Sequence, residues 1–490
     1  YRLENNNGIN YGMPWIKPTS TSPASATTLL PVSPTSNYGM ASDYNNGTAT
    51  YATLAHTHRF DGDTELTTRV RRGAYTRDQR ASTIRLTAGE DLSNFGPNTV
   101  LTRGTQNKIQ NLDSVYLQSD LSTKFNALGM RHELLSGIDV AREQKTVYAA
   151  RTATQGLGGV DLIKPNTTVG TPDDGAWVNE SSRVLRVNNQ YTSTAWGVYA
   201  QDLAQIAPYW KILGGLRYDS LNGNYDSFGA PAVNMSNGAL ANYKMNIGEW
   251  SKRVGALFQP NERASYHFSA ATSFNTSGDA YSLGASNADV PPEQSINLEL
   301  GAKIDSADKN FTTRYALFRS TKLHERNTDP LVDVAVLSGK RHATGLELDF
   351  TGRITPRWEA YGSFMWIPDA RIDEAYKSPT GSDNERTGAR PSLTPRISAT
   401  LWNTYQINGQ WRVGAGVNHR SAQTPNRNPG WEAPAFTTAD VMAEYRVDEQ
   451  LTFKGNVSNL TDKRYADQLY SGHYVPGAGR LVQVTGSYKF

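Results

Sequence analysis

Few side chains in this 490-residue sequence are spaced for chemistry. His56 and His58 stand at i and i+2 in LAHTHRF, on one face of a strand, where two imidazoles could hold a metal ion. No cysteine or carboxylate lies beside them, so the plainer reading is two strand histidines facing a wet interior. Glu347 and Asp349 also share a strand face, and paired carboxylates can do acid–base work. Ordinary interior charges explain them as well. His324 and His342 are isolated. GxSxG, HExxH, a P-loop and GxGxxG are absent, and VGAGV (413–417) sits inside a strand pattern, where glycine marks close packing or a bulge. NVS at Asn456 and NLT at Asn459 match the glycosylation pattern by chance. The expectation is no enzyme and no resident metal or cofactor.

The elements that carry these residues are strands. The closing segment GRLVQVTGSYKF puts Val482, Val484, Tyr488 and Phe490 on one face and Gln483, Thr485, Ser487 and Lys489 on the other. INLELGAKIDSADKNFTTRYALF repeats that alternation on both sides of a tight turn. Eight such hairpins are expected, with turns at 61–63, 126–129, 207–209, 260–262, 306–310, 354–356, 408–410 and 448–450, rich in Gly, Asn, Asp and Pro. With the last strand and a stub at 1–4, about 17–18 strands result. The connections between hairpins are long: 5–47, 146–186, 222–244, 275–294 and 373–390.

Short turns on one side and long loops on the other are the pattern of an all-β, transmembrane antiparallel β-barrel. Aromatic pairs flank the short turns on the apolar faces: Phe258 and Tyr266, Phe350 and Trp358, Tyr405 and Trp411, Tyr445 and Phe453. They read as a girdle at a membrane interface. The opposite faces carry Glu299, Glu347, Asp349, Asp440, Glu444, Arg446 and Lys454, which implies a wet or plugged lumen. Propellers and solenoids are excluded by the irregular spacing of the hairpins. No run of 18 apolar residues exists for a membrane helix, cysteine is absent, and a net charge of +3 without a basic block gives no nucleic-acid partner.

NVSNLTDKRYADQLY (456–470) followed by GAGRLVQVTGSYKF resembles the C-terminal signature of TonB-dependent outer-membrane receptors. WGVYAQD (196–202), GGLRYD (214–219), PPEQSINLELGAK (291–303) and TGLELDFTGRITPRWEAYGSF (344–364) resemble their internal strands. QTPNRNPG (423–430) and NYGMPWI (10–16) resemble the subgroup that takes up ferric catecholate siderophores. The resemblance implies a 22-strand barrel closed by an N-terminal plug. Strand parity then makes residues 1–490 the barrel portion alone, with the plug, four strands and the TonB-contacting segment outside this chain.

It also implies that outer loops capture the ligand, an anionic iron complex ringed with catechols, for which arginine supplies charge and aromatic rings supply stacking. The loop candidates are Tyr11, Trp15, Tyr38, Tyr44, Arg151, Trp177, Arg326, Arg386, Arg420, Arg427, Tyr470 and Tyr474. Each is balanced by the plainer reading that loop Tyr and Arg pack loops together. Expected partners are a ferric siderophore, the TonB complex through the segment outside this chain, and outer-membrane lipid with lipopolysaccharide. The protein is expected to be a monomer in the outer membrane of a Gram-negative bacterium. A passive porin, a decayed remnant and a same-family receptor for haem, cobalamin or a saccharide are the alternatives.

Overall fold

All eight short turns join antiparallel strands that zip outward from them. The hairpins are Tyr44–Arg59 with Glu65–Leu86, Val100–Ala127 with Met130–Ala150, Leu185–Ala207 with Trp210–Phe228, Leu240–Asn261 with Ala264–Asn275, Glu293–Asp305 with Phe311–Asp329, Val334–Thr355 with Trp358–Glu374, Ile397–Gln406 with Trp411–Arg420, and Phe436–Arg446 with Leu451–Ser458. They come from a computed structural model that describes all residues except 8–11, 61, 277–290, 330–333, 376–385 and 427, and only the backbone of 5–7, 326–329 and 334–338. Three turns use one device, a side-chain oxygen that accepts two backbone N–H groups. Asn261 accepts from Arg263 and Ala264, Asn408 from Gln410 and Trp411, and Asp448 from Gln450 and Leu451.

Each hairpin pairs with the next in chain order, which gives a 19-stranded antiparallel sheet. Arg2–Asn7 joins it on Tyr44–Arg59, and Leu481–Tyr488 joins on Leu451–Ser458. The short Thr167–Thr168 strand adds to Val100 and Leu101. Met13–Pro14, Ala466–Leu469 and His473–Pro476 make a separate three-stranded sheet among the long loops. Among the described residues the only helical pieces are three 3-10 turns of three residues each.

The strands run further into the expected loops than their sequence pattern implies. Trp210–Phe228 and Leu240–Asn261 leave only 229–239 as a connection. Beyond the apolar band both faces of a strand meet water, so the alternation that marks a strand fades there.

Cross-strand register fixes the two faces of the wall. Leu54 lies opposite Val70, Val70 opposite Leu117, Leu117 opposite Val140, and Val140 opposite Trp196. This is the lipid side. Near the short turns it carries the aromatic girdle, with Trp210 and Phe258 rings 4.7 Å apart, Phe258 and Tyr266 6.2 Å, Phe311 and Phe350 6.0 Å, and Trp411 and Tyr445 4.6 Å. The opposite face is ionic. The Arg217 guanidinium reaches both Asp139 oxygens at 2.7 and 3.0 Å, and its Nε donates to Asp219 at 2.8 Å. Asp349 faces Arg314 in register, so Glu347 and Asp349 belong to this wet inner surface.

His56 and His58 correct the sequence reading. They have the parity of Leu54 and Phe60 and stand on the lipid side, His58 edge-on to Phe60 at 4.4 Å. Ala and Thr fill seven of the sixteen positions of their strand and Leu54 is its one large aliphatic residue, so no strong alternation shows which side is dry. Among the described residues no group of three His, Cys, Asp or Glu is placed to hold a metal ion.

Candidate functional site

The long loops meet at the end of the wall away from the short turns, and there they build a small core of their own. Met13, Trp15, Ile16, Leu30, Tyr38, Ile84, Leu101, Ala433, Ala466 and Tyr474 form one buried apolar cluster. Local chemistry explains how the first loop enters it. Gly12 has φ +96°, and a Cβ there would overlap the Tyr474 carbonyl, so glycine lets Met13–Pro14 lie against His473–Pro476. The Trp15 indole packs on Tyr474 at 4.7 Å and donates to the Tyr470 carbonyl at 3.4 Å. The Tyr474 hydroxyl accepts from the Leu30 amide at 2.9 Å. Lys17 lies 4.7 Å over the Trp431 ring, and the Thr27 hydroxyl accepts from the Glu432 amide at 3.1 Å. Loops more than 400 residues apart in sequence are thereby joined into one cap.

A buried ionic knot ties the 151–184 segment to the same cap. The Lys164 ammonium donates to Asp43 at 3.0 Å, the Ala81 carbonyl at 3.0 Å and the Ser82 hydroxyl at 2.9 Å, and lies 3.8 Å from Glu180. Lys164, Asp43, Glu180 and Arg183 are all buried. Arg103 donates to the Tyr38 carbonyl at 2.7 Å and pairs with Asp174 at 2.9 Å, which holds the Asp174 carboxyl below its usual range. Sequence reasoning missed Asp43, Arg103, Lys164, Asp174, Glu180 and Arg183. Lone charges inside long polar loops carry no periodicity, and most of their partners lie 65 to 121 residues away.

The twelve expected ligand residues divide into three groups. Trp15, Tyr38 and Tyr474 are 3%, 2% and 1% exposed, so their rings build the cap and present no face to solvent. Arg151 is also buried, its guanidinium spent on the Met235 carbonyl at 3.0 Å and on Ser236 O. Tyr44 donates to Asp78 at 3.2 Å beneath Arg80, and burial, aided by Asp78, pushes its phenol up to about 12. For these five the plainer reading of loop packing describes what the side chains do.

Four others face outward or line the mouth. Trp177 and Arg386 are exposed, and Tyr470 is exposed with its ring stacked 4.6 Å from His473. Arg420 is half-buried, 5.3 Å over the Phe436 ring, and donates to the Asp467 carbonyl at 3.2 Å. The Phe436 ring in turn stacks on Tyr465 at 4.3 Å. Arg420 and Phe436 are register partners on the inner face, so this cation–aromatic stack looks into the mouth. Tyr11 and Arg427 lie outside the described residues, and so does the side chain of Arg326, whose backbone belongs to Phe311–Asp329.

Asn459 has a structural job. With φ +48° it accepts from the Lys463 amide and donates to the carbonyls of Lys463 and Ala478, shaping the turn that delivers Tyr465. His473 sits in the cap beside Arg85, and burial, with Arg85 second, pushes its imidazole down to about 4.

A family model described as "TonB dependent receptor-like, beta-barrel" matches residues 1–460. The catecholate siderophore receptor Fiu of Escherichia coli K12 is 26% identical over 92% of this chain, and the chain spans 61% of that relative's length. The crystal structure of the siderophore receptor PiuA from Acinetobacter baumannii superposes with a TM-score of 0.86 at 22% identity, covering 100% of this chain and 71% of that one. The closed form of the ferric-catecholate import receptor Fiu from E. coli K12 superposes with a TM-score of 0.82 at 22% identity, with the same coverage. Strand register, girdle, ionic inner face and the match over residues 1–460 agree: the chain belongs to the TonB-dependent receptor family, β-barrel proteins of the Gram-negative outer membrane.

Proposed function

We propose that this chain is the barrel portion of a receptor that imports a ferric siderophore of the catecholate type, with the plug and the TonB-contacting segment supplied by the rest of the protein. The observation that carries the reading is the stack of Arg420, Phe436 and Tyr465 at the mouth, with Trp177, Arg386 and Tyr470 exposed on the long loops. A guanidinium next to stacked rings suits an anionic ligand with aromatic groups. The name of the Fiu relative points the same way. Iron is then cargo, chelated by its own ligand, and the protein needs neither a resident metal nor a catalytic group. The working unit is a monomer within outer-membrane lipid.

The test is uptake of radiolabelled iron by a Gram-negative strain that lacks its own catecholate receptors and carries the full-length gene. Import of ferric catecholate, lost when TonB is deleted, is the expected result. Import that survives loss of TonB would make the protein a passive pore. Import of haem, cobalamin or a saccharide with none of ferric catecholate would reassign the cargo.

A further inference from the structure

The buried knot of the cap holds an amine and a carboxyl group in contact. Lys164 Nζ lies 3.0 Å from Asp43 Oδ1, and the two side chains are 1% and 3% exposed. The other carboxyl oxygen, Asp43 Oδ2, accepts from the backbone amides of Met40 at 3.1 Å and Ser82 at 2.9 Å. A Cβ on Gly39 would stand 2.9 Å from that oxygen, so glycine leaves it room. Glu180, also buried, places Oε1 3.8 Å from the amine and is itself held by Arg183 at 2.5 Å.

Each group has a use in amide formation. Two N–H groups on one oxygen are what a tetrahedral intermediate needs. A carboxylate beside the amine can carry its proton to the departing oxygen. Fixed contact replaces the encounter of amine and acid, and burial keeps out the water that would reverse the reaction. Two opposite charges held away from solvent are costly, and a neutral amide removes both. The charges left, Glu180 and Arg183, already pair. The product is also satisfied. Its oxygen keeps the Met40 and Ser82 amides, and its single N–H has the Ala81 carbonyl, which lies 3.0 Å from the amine.

We propose that Lys164 and Asp43 condense into an isopeptide bond that staples the first loop to the 151–184 segment. The Lys164 ammonium gives one proton to Asp43 Oδ1. The amine then attacks Asp43 Cγ, and the C=O electron pair moves to Oδ2. Glu180 takes a proton from Nζ and hands it to Oδ1, which leaves as water while the Oδ2 carbonyl re-forms. No oxidant or co-reactant enters. The proposal rests on the cap and is independent of the cargo.

Intact-mass spectrometry of the denatured full-length protein tests it, beside a protease digest. The expected mass is short by one water, and a branched peptide joins Asp43 to Lys164. Lys164→Arg keeps the cation and should restore the full mass. Glu180→Gln should slow bond formation by about a hundredfold, read as the full mass persisting in newly made protein. Gel migration with and without boiling shows that each variant holds a folded barrel. The full mass and two separate peptides in the unaltered protein overturn the proposal and leave an ion pair. A bond from Lys164 to Glu180 overturns the assignment of Asp43, and an unchanged rate in Glu180→Gln overturns the part given to Glu180.

Discussion

At the scale of single residues, the loop end works by burying charge and then answering it. Lys164 is the clearest case, since its removal leaves Asp43 and Glu180 buried with one cation fewer. Lys164→Met should cost about 3–5 kcal/mol locally. The expected readout is rapid protease nicking within 151–184 while the strands stay folded. His473 makes the cap sensitive to acid. Its folded pKa of about 4 lies below the ordinary 6.5, so the folded cap binds fewer protons than the open one. Its stabilisation is complete above about pH 6.5 and is lost as pH falls towards 4. Hydrogen exchange of the Met13 and Leu30 amides should quicken over that window, and His473→Gln should flatten the response. At the mouth, Arg420→Ala removes the cation from the Phe436–Tyr465 stack, and ferric-catecholate affinity should fall roughly tenfold. Unchanged affinity would move the ligand to another part of the mouth.

The elements show what could be read in advance. All eight hairpin turns were legible because a tight reversal needs its residues at the reversal itself, as Asn408 and Asp448 illustrate. The girdle was legible for a similar reason, since an aromatic beside a turn fixes its own height. The cap was not. Trp15, Tyr38 and Tyr474 look like any loop aromatics, and only the fold brings Leu30 within 2.9 Å of the Tyr474 hydroxyl. The side of His56 and His58 was equally hidden, because Leu54 is the one large aliphatic residue in their strand. Of the candidate ligand residues, Arg420 packs on a partner, Phe436, that no spacing rule would have chosen. The cap should behave as one element. Trp15→Ala should cost about 3–5 kcal/mol and release the 12–43 and 466–476 segments together, as parallel gains in deuterium uptake.

For the whole molecule, the determining fact is that one wall separates lipid from an ionic lumen. Phe268 and Ser269 are neighbours in sequence and face opposite solvents, with Ser269 paired to Glu299. Phe268→Arg should destabilise the folded barrel by about 2–4 kcal/mol. Ser269→Arg places the same charge in the lumen beside a carboxylate and should be nearly neutral. Urea unfolding in bilayers distinguishes the two.

The two-sided register also decides which parts of the gene can change length. Deleting the codon of Thr312 or Thr313 would turn Tyr315 and Leu317 into the lumen and Arg314 into lipid, because a strand alternates at every residue. The connection at 229–239 has no such phase, so a change of length there turns no strand over and costs only local contacts such as those of Arg151 to Met235 and Ser236. Indels in this lineage should therefore fall in such connections, while the hairpins drift by substitution and keep their lengths.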